Sequence, residues 1–234
     1  MIAFLVCNYL LRKYLVSINE DPQQGDDIIF YAAFGGIVGS KIYYLIERAV
    51  LYSDYSNIDG IMNVFRGIAN LDISLFFLGI NQFGSGLVFL GGLIGGMLTV
   101  TYYIKKNNLK WLTIADWVAP YLALGHAIGR LGCFFVGDCY GTYCTFPWAV
   151  TFTQGLPPTT FESFEYNYPY VFNSEGFQLL YNAGDTIYVH PTQLYEMSLY
   201  ILGFLLLRRF FSKAQKTLGL TTALYLMYAG FSRF

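Results

Sequence analysis

The residues best suited to chemistry on an anionic group lie in one stretch, Gly125-His126-Ala127-Ile128-Gly129-Arg130-Leu131-Gly132-Cys133-Phe134-Phe135-Val136-Gly137-Asp138-Cys139-Tyr140-Gly141. It closes an apolar run that opens near Trp111, so the always-charged guanidinium of Arg130 arrives at or inside a membrane boundary. An arginine there costs roughly 2.5–3.5 kcal/mol on insertion scales unless it snorkels or faces a polar cavity. Gly129, Gly132, Gly137 and Gly141 remove side-chain bulk and permit backbone shapes that other residues resist. Asp138 adds a carboxylate. A fixed cation beside bare backbone is what binding a lipid phosphate requires. A snorkelling arginine at a helix end, with glycines for packing, is the competing reading of the same residues.

Three basic residues, Lys41, Arg130 and Arg233, fall at or within apolar segments, and Asp116, Asp138 and Glu196 are the candidate partner acids. They line a polar cavity for an anionic lipid head, or they form interhelical ion pairs that fix packing; for Lys41 and Glu196 taken alone the second reading is preferred. Cys133, Cys139 and Cys144 are spaced C-x5-C-x4-C, which leaves a disulfide between two of them open and is not the pair-of-pairs spacing of a structural zinc site. No metal is assigned. Cys7 sits in an apolar helix and reads as inert.

Positioning these groups falls to a helical membrane scaffold. Of the 234 residues 55% are hydrophobic and 12% charged, and the mean hydropathy is +0.44, outside the range of ordinary soluble domains. A net charge of −1 gives no basic footprint for nucleic acid. Apolar runs long enough for a ~30 Å hydrocarbon core recur, and the expectation is an all-α polytopic membrane protein with about six spans in a single membrane-embedded domain, 1–234. The spans are placed at Met1 to Leu11 (partial, its beginning missing), Ile28 to Val50, Gly84 to Ile104, Trp111 to Arg130, Pro191 to Leu207, and Leu218 onward. Glu20 to Asp27 reads as a polar turn, and Leu51 to Gln82 as an extramembrane loop or surface-lying helices. Residues 132–190, between the fourth and fifth spans, form an outer-face insertion in which the alternation of Tyr181 to Val189 predicts short strands. Arg12/Lys13, Lys105/Lys106/Lys110 and Arg208/Arg209/Lys213/Lys216 share one side of this topology, which the positive-inside rule puts in the cytoplasm. The insertion then lies outside, where Arg130 and Arg233 both approach.

Two motifs carry a family resemblance. Gly129-Arg130-Leu131-Gly132-x-Phe134, followed by Gly137, an acid and Gly141, resembles the signature of the prolipoprotein diacylglyceryl transferase family, and His190-Pro191-Thr192-Gln193-Leu194-Tyr195-Glu196 matches a second family motif that opens the next helix. Weaker matches are Gly35–Tyr44, Phe89–Gly95 with its Gly91-Gly92 pair, and Tyr228–Phe234 with Arg233 at the family's arginine. The chain departs from the pattern where Leu90 replaces a histidine, Cys133 an asparagine, Asp138 a glutamate and Lys41 an arginine. An outer N-terminal segment and a C-terminal glutamate of the family find no counterpart, so both ends read as truncated.

The resemblance implies transfer of the diacylglyceryl group of phosphatidylglycerol to the lipobox cysteine thiol of a prolipoprotein, at the outer face of the bacterial inner membrane, with glycerol phosphate released and no cofactor. Arg130, Arg233 and Asp138 then carry the chemistry. Arg130, Gly132, Cys133, Gly137, Gly141 and Arg233 surround the lipid head, supported by His190, Gln193, Tyr195, Glu196, Gly91, Gly92 and Lys41. Two arginines suit a departing phosphate. A thiol of pKa ~8.5 needs a base or a positive field to react, which Asp138 or the arginines supply. The partners implied are phosphatidylglycerol, the prolipoprotein signal peptide and membrane lipid. A non-catalytic relative that binds lipid or prolipoprotein, a small membrane transporter and a metal-dependent phosphotransferase are the alternatives. No half-to-half symmetry supports the transporter, and the acids are too scattered for the phosphotransferase.

Overall fold

The computed structural model describes residues 2–84, 86–211 and 217–232. Its elements are α1 (Ile2–Ser17), α2 (Pro22–Leu51), α3 (Ser56–Ala69), α4 (Ile73–Gly84), α5 (Phe89–Lys106), α6 (Trp111–Val136), α7 (Phe161–Asn167), α8 (Pro169–Phe172), α9 (Glu175–Leu180), α10 (Thr192–Leu206) continuing into a π-helical turn (Leu207–Phe211), and α11 (Leu220–Phe231). The all-helical expectation holds among the described residues. Two helices, α2 and α6, are long and apolar enough to cross a membrane, and α4 with α5, bent by 87° at their junction, makes a third candidate. The chain divides into two compact units, residues 12–111 and residues 1–11 with 112–234.

In the unit of residues 12–111, α2 starts earlier than hydropathy predicts. Asp21 accepts from the Gln23 amide and Pro22 occupies the first helical position, so most of the expected polar turn at Glu20 to Asp27 is helix. The segment expected as loop or surface helices forms the α3–α4 pair, with Asp72 Oδ1 accepting from the Ser74 and Leu75 amides to start α4. Gly67 and Gly79 let that pair approach: a Cβ on either would stand 2.6 Å from a backbone nitrogen of the partner, Phe76 or Val64.

The same device joins α2 to α5. A Cβ on Gly39 would fall 2.8 Å from the Cα of Gly95, whereas one on Gly36 would meet nothing nearer than the Gly92 carbonyl oxygen at 3.8 Å. Thr99 Oγ1 adds a 2.7 Å hydrogen bond to the Tyr31 carbonyl. Gly39→Val is therefore expected to lower stability by about 1–3 kcal/mol, the usual cost of overpacking a close contact. Gly36→Ala should leave the thermal midpoint in detergent micelles unchanged or raised. Equal midpoints for the two variants would refute this contact.

In the other unit, residues 137–191 fold over an aromatic core of Tyr140, Phe164, Phe177, Ile187 and Val189. The Phe164 and Phe177 rings stack at 5.8 Å, and Tyr140 stacks on Phe152 at the same separation. Burial, and then the neighbouring Tyr168, pushes the Tyr140 phenol up; its hydroxyl donates to the Pro157 carbonyl at 2.8 Å. The strands expected at Tyr181 to Val189 are reduced to isolated antiparallel bridges, Val189 with Tyr143 and Val150, and Thr186 with Thr160. The aromatic side chains pack from short helices α7–α9 instead, which supply the partners a sheet would have needed.

Candidate functional site

The site is assembled where α6 ends and α10 begins. Helix α6 runs six residues beyond Arg130 to Val136, so Arg130 lies within the last two turns rather than at the end expected for the span. The helix stops because Gly137 turns into the left-handed region (φ 73°), and the Gly137 and Asp138 amides both donate to the Cys133 carbonyl, at 2.9 and 3.2 Å. Only glycine fits, since a Cβ there would stand 2.9 Å from Gly155 Cα.

From this turn the chain is stitched to the start of α10. The Gly141 amide donates to the His190 carbonyl (2.9 Å) and the His190 amide to the Thr142 carbonyl (3.0 Å). Thr192 Oγ1 donates to the Cys139 carbonyl (2.8 Å), and Gln193 Nε2 to the Asp138 carbonyl (2.6 Å). Gln193 is wholly buried. A Cβ on Gly141 would meet Thr192 Cγ2 at 2.8 Å, so the crossing of the two segments also requires glycine there.

One turn beyond Gln193, Glu196 faces Arg130. Arg130 Nε lies 2.7 Å from Glu196 Oε2, with side-chain exposures of 12% and 23%. The contact is an ion pair rather than a directed hydrogen bond: neither atom has a hydrogen-bond partner among the described residues. Asp138 Oδ1 and Gln193 Oε1 are likewise buried without partners there. Buried polar atoms without partners are rare in folded proteins, and the two from these segments, Asp138 Oδ1 and Gln193 Oε1, mark a polar place beside the ion pair. Apart from chain neighbours and the helix's own backbone, no described residue lies within 4 Å of a Cβ placed on Gly129 or Gly132, so the helix is open at these two glycines.

Tyr195 takes a 2.7 Å hydrogen bond from Trp148 Nε1, and its hydroxyl lies 3.3 Å from His190 Nδ1. His126, one turn before Arg130, stacks on the buried ring of Tyr200 (3.9 Å, 12°), and Tyr200 OH accepts from Ser232 Oγ at 2.9 Å. Thr192 lies in the second motif without a role assigned to it, while Trp148 and Tyr200 stand outside every motif and carry no sequence signal of their contacts.

The remaining expected residues are placed differently. Lys41, Gly91 and Gly92 belong to the unit of residues 12–111. Lys41 Nζ donates to Asn57 Oδ1 (2.7 Å) and to the Phe83 carbonyl, and Gly91 and Gly92 lie against Tyr43 and Ser40 of α2. Asp116, expected as a counter-ion for a basic residue, instead caps α11. Arg233 lies outside the described residues. All four cysteines are free thiols, so the disulfide left open is not made; Cys133, Asp138 and Cys139 bring three ligand atoms within 4.8 Å of one another.

A sequence model described as prolipoprotein diacylglyceryl transferase matches residues 1–234. The chain belongs to this family. Relatives named phosphatidylglycerol–prolipoprotein diacylglyceryl transferase include one from Leptospira interrogans, 36% identical over 150 residues that cover 60% of this chain and 45% of the relative. One from Finegoldia magna is 31% identical over 89% of this chain and 63% of its own length. One from Prochlorococcus marinus is 28% identical over 100% of this chain and 70% of its own length. The chain thus spans between 45% and 70% of the length of these family members.

Proposed function

We propose that the chain transfers the diacylglyceryl group of phosphatidylglycerol to the lipobox cysteine thiol of a prolipoprotein, the first step of lipoprotein maturation. The sulfur attacks the glyceryl carbon, a thioether forms, and the carbon–oxygen bond to phosphate breaks with release of glycerol phosphate. The observation that carries this reading is the Arg130–Glu196 pair, held by the stitch between the two family motifs. With the carboxylate engaged at Nε, the terminal nitrogens of Arg130 form the fork that meets a phosphate. Negative charge grows on the phosphate oxygens as the bond breaks, and a preorganised cation stabilises that growth without reorganising. The bare surface at Gly129 and Gly132 leaves room for the lipid head, and Asp138 and the arginine field are the groups at hand to make the thiolate.

In this reading the chain is a single domain of about six spans in the bacterial inner membrane, with residues 132–190 and the site towards the outer face. The basic residues within α1 (Arg12, Lys13), at and just beyond the end of α5 (Lys105, Lys106, Lys110) and after α10 (Arg208, Arg209, Lys213, Lys216) support that orientation. The test is glycerol phosphate release by the purified chain in phosphatidylglycerol micelles. Release with a lipobox peptide, and none with its serine counterpart, is the expected result. Phosphatidylglycerol binding without release would move the chain to a non-catalytic, lipid-binding role.

A further inference from the structure

The stretch of residues 137–191 divides by charge. No residue between Asp138 and Glu162 carries one, whereas Glu162, Glu165, Glu175 and Asp185 follow, all exposed and with no lysine or arginine among them. The uncharged half is the part tied to the ends of the long helices. The Leu156 amide donates to the Gly137 carbonyl at 3.1 Å, directly after α6, and Trp148 Nε1 donates to Tyr195 OH at 2.7 Å. Tyr195 belongs to the first turn of α10, about 5 Å along its axis from Thr192 at 1.5 Å per residue, and immediately precedes Glu196 of the ion pair. Phe146 stacks on Trp148 with ring centroids 4.9 Å apart and meets the His190 ring edge-on. Phe146 and Trp148 at the start of α10, and Leu156 with Phe135 at the end of α6, are nevertheless each more than half exposed. None of the four joins the aromatic core around Phe164 and Phe177.

We propose that the uncharged half, residues 139–161, seats on the membrane leaflet in which α6 ends, with Phe146 and Trp148 at headgroup depth and the acidic half turned to water. The seat rests on α6 as a span, not on the proposed transfer. Indole and phenol rings concentrate at membrane–water boundaries because one end is apolar and the other polar. Here Trp148 Nε1 and Tyr195 OH are spent on one another, so what these side chains turn outward is ring surface. That surface fits lipid and offers no hydrogen bond to a peptide backbone. Charge sets the same sidedness: carboxylates are repelled by an anionic leaflet over a Debye length of about 8–10 Å, whereas an uncharged surface is not. Tyr166 and Tyr170 are exposed too, but in a stretch bounded by Glu162 and Glu165 on one side and Glu175 on the other. In the proposed transfer the seat has a consequence, since it fixes Arg130 and Glu196 at the depth where a lipid phosphate lies.

The full chain is placed in vesicles of phosphatidylcholine and phosphatidylglycerol, with bromine carried either near the glycerol end or near the methyl end of the phosphatidylcholine chains. Trp148 fluorescence is read as the parent minus Trp148→Phe, which leaves Trp111 and Trp117 in place. Bromine near the glycerol end is expected to quench it at least about twofold more than bromine near the methyl end, as for other boundary tryptophans, and acrylamide in the water should reach it poorly. Leu156→Trp, read as its difference from the parent, should show the same depth while leaving every contact of Trp148 intact. Tyr170→Trp, built on Trp148→Phe, should behave oppositely, open to acrylamide and untouched by bromine. Quenching of Trp148 by neither brominated lipid overturns the seat, and so does stronger quenching from the methyl end or equal quenching of the Trp148 and Tyr170→Trp signals. A lipobox peptide that shields Trp148 from acrylamide where brominated lipid leaves it bright also overturns the seat and assigns the patch to the peptide. These readouts need no turnover, so loss of the seat and loss of the transferase reading are seen separately.

Discussion

Arg130→Ala is expected to lower kcat/KM for diacylglyceryl transfer by about 10²–10³, the usual loss when one preorganised donor to developing negative charge is removed. The effect should fall mainly on kcat, because charge on the phosphate is greater in the transition state than in bound lipid. Arg130→Lys keeps the charge but presents a point in place of a planar fork, so it should recover only part of the loss. Removing the guanidinium also takes from Glu196 the cation paired with it, and that carboxylate is only 23% exposed. The Arg130→Ala/Glu196→Gln double variant separates the two consequences. If activity fell only because a buried charge was stranded, the double variant would regain it. Continued loss in the double variant, with an unchanged thermal midpoint, assigns the defect to the phosphate. Transfer by Arg130→Ala within about threefold of the parent would remove Arg130 from the mechanism, since losing one hydrogen bond to a charged group, about 1.5–3 kcal/mol, already costs more than that.

How far the sequence foretold this site depends on what each residue contributes. The charge of Arg130 inside an apolar run was legible because charges there are expensive. Its partner was not, because hydropathy places Asp116, Asp138 and Glu196 equally well near basic residues. What selects Glu196 is the register of α10, fixed by Thr192 and Gln193 on two carbonyls after α6. Hydropathy also found α2 and α6 but missed the start of the first and the end of the second, which depend on Pro22, Asp21 and the left-handed Gly137 rather than on apolar content. It left Leu51 to Gln82 undecided because Asn57, Asp59, Arg66, Asn70 and Asp72 interrupt the pattern. In the structure Asp72 starts α4, Asn57 receives Lys41, and glycines carry the α3–α4 contact. Alternation misread the stretch ending at Val189, since an aromatic core on short helices buries alternate residues without a sheet.

Asp116 shows the same limit with the largest expected effect on stability. The residue is buried, 3% exposed, and its carboxylate accepts three hydrogen bonds. Gly219 N donates to Oδ2 at 2.6 Å, while Thr222 N and Thr222 Oγ1 donate to Oδ1 at 2.8 Å each. Helix α11 begins after Gly219, which turns through φ 85° and offers no side-chain cap of its own. Its first amides would otherwise be unsatisfied in an apolar setting, and a carboxylate at a helix N-terminus also meets the positive end of the helix dipole. Asp116→Ala removes the acceptors and strands these donors, so a loss of about 2–4 kcal/mol is expected. Asp116→Asn keeps one acceptor oxygen but turns an amide donor towards another donor, and should lose an intermediate amount. The consequence reaches the site through α11. Tyr228 donates to the Leu199 carbonyl at 2.6 Å, Ser232 donates to Tyr200, and Tyr200 stacks on His126 one turn before Arg130. Asp116→Ala should therefore lower both the unfolding midpoint in micelles and the transfer rate, with the rate partly restored on cooling as the cap-less helix re-forms. A stability change below about 0.5 kcal/mol, the range of an ordinary surface substitution, would show that the carboxylate does not hold α11 in place.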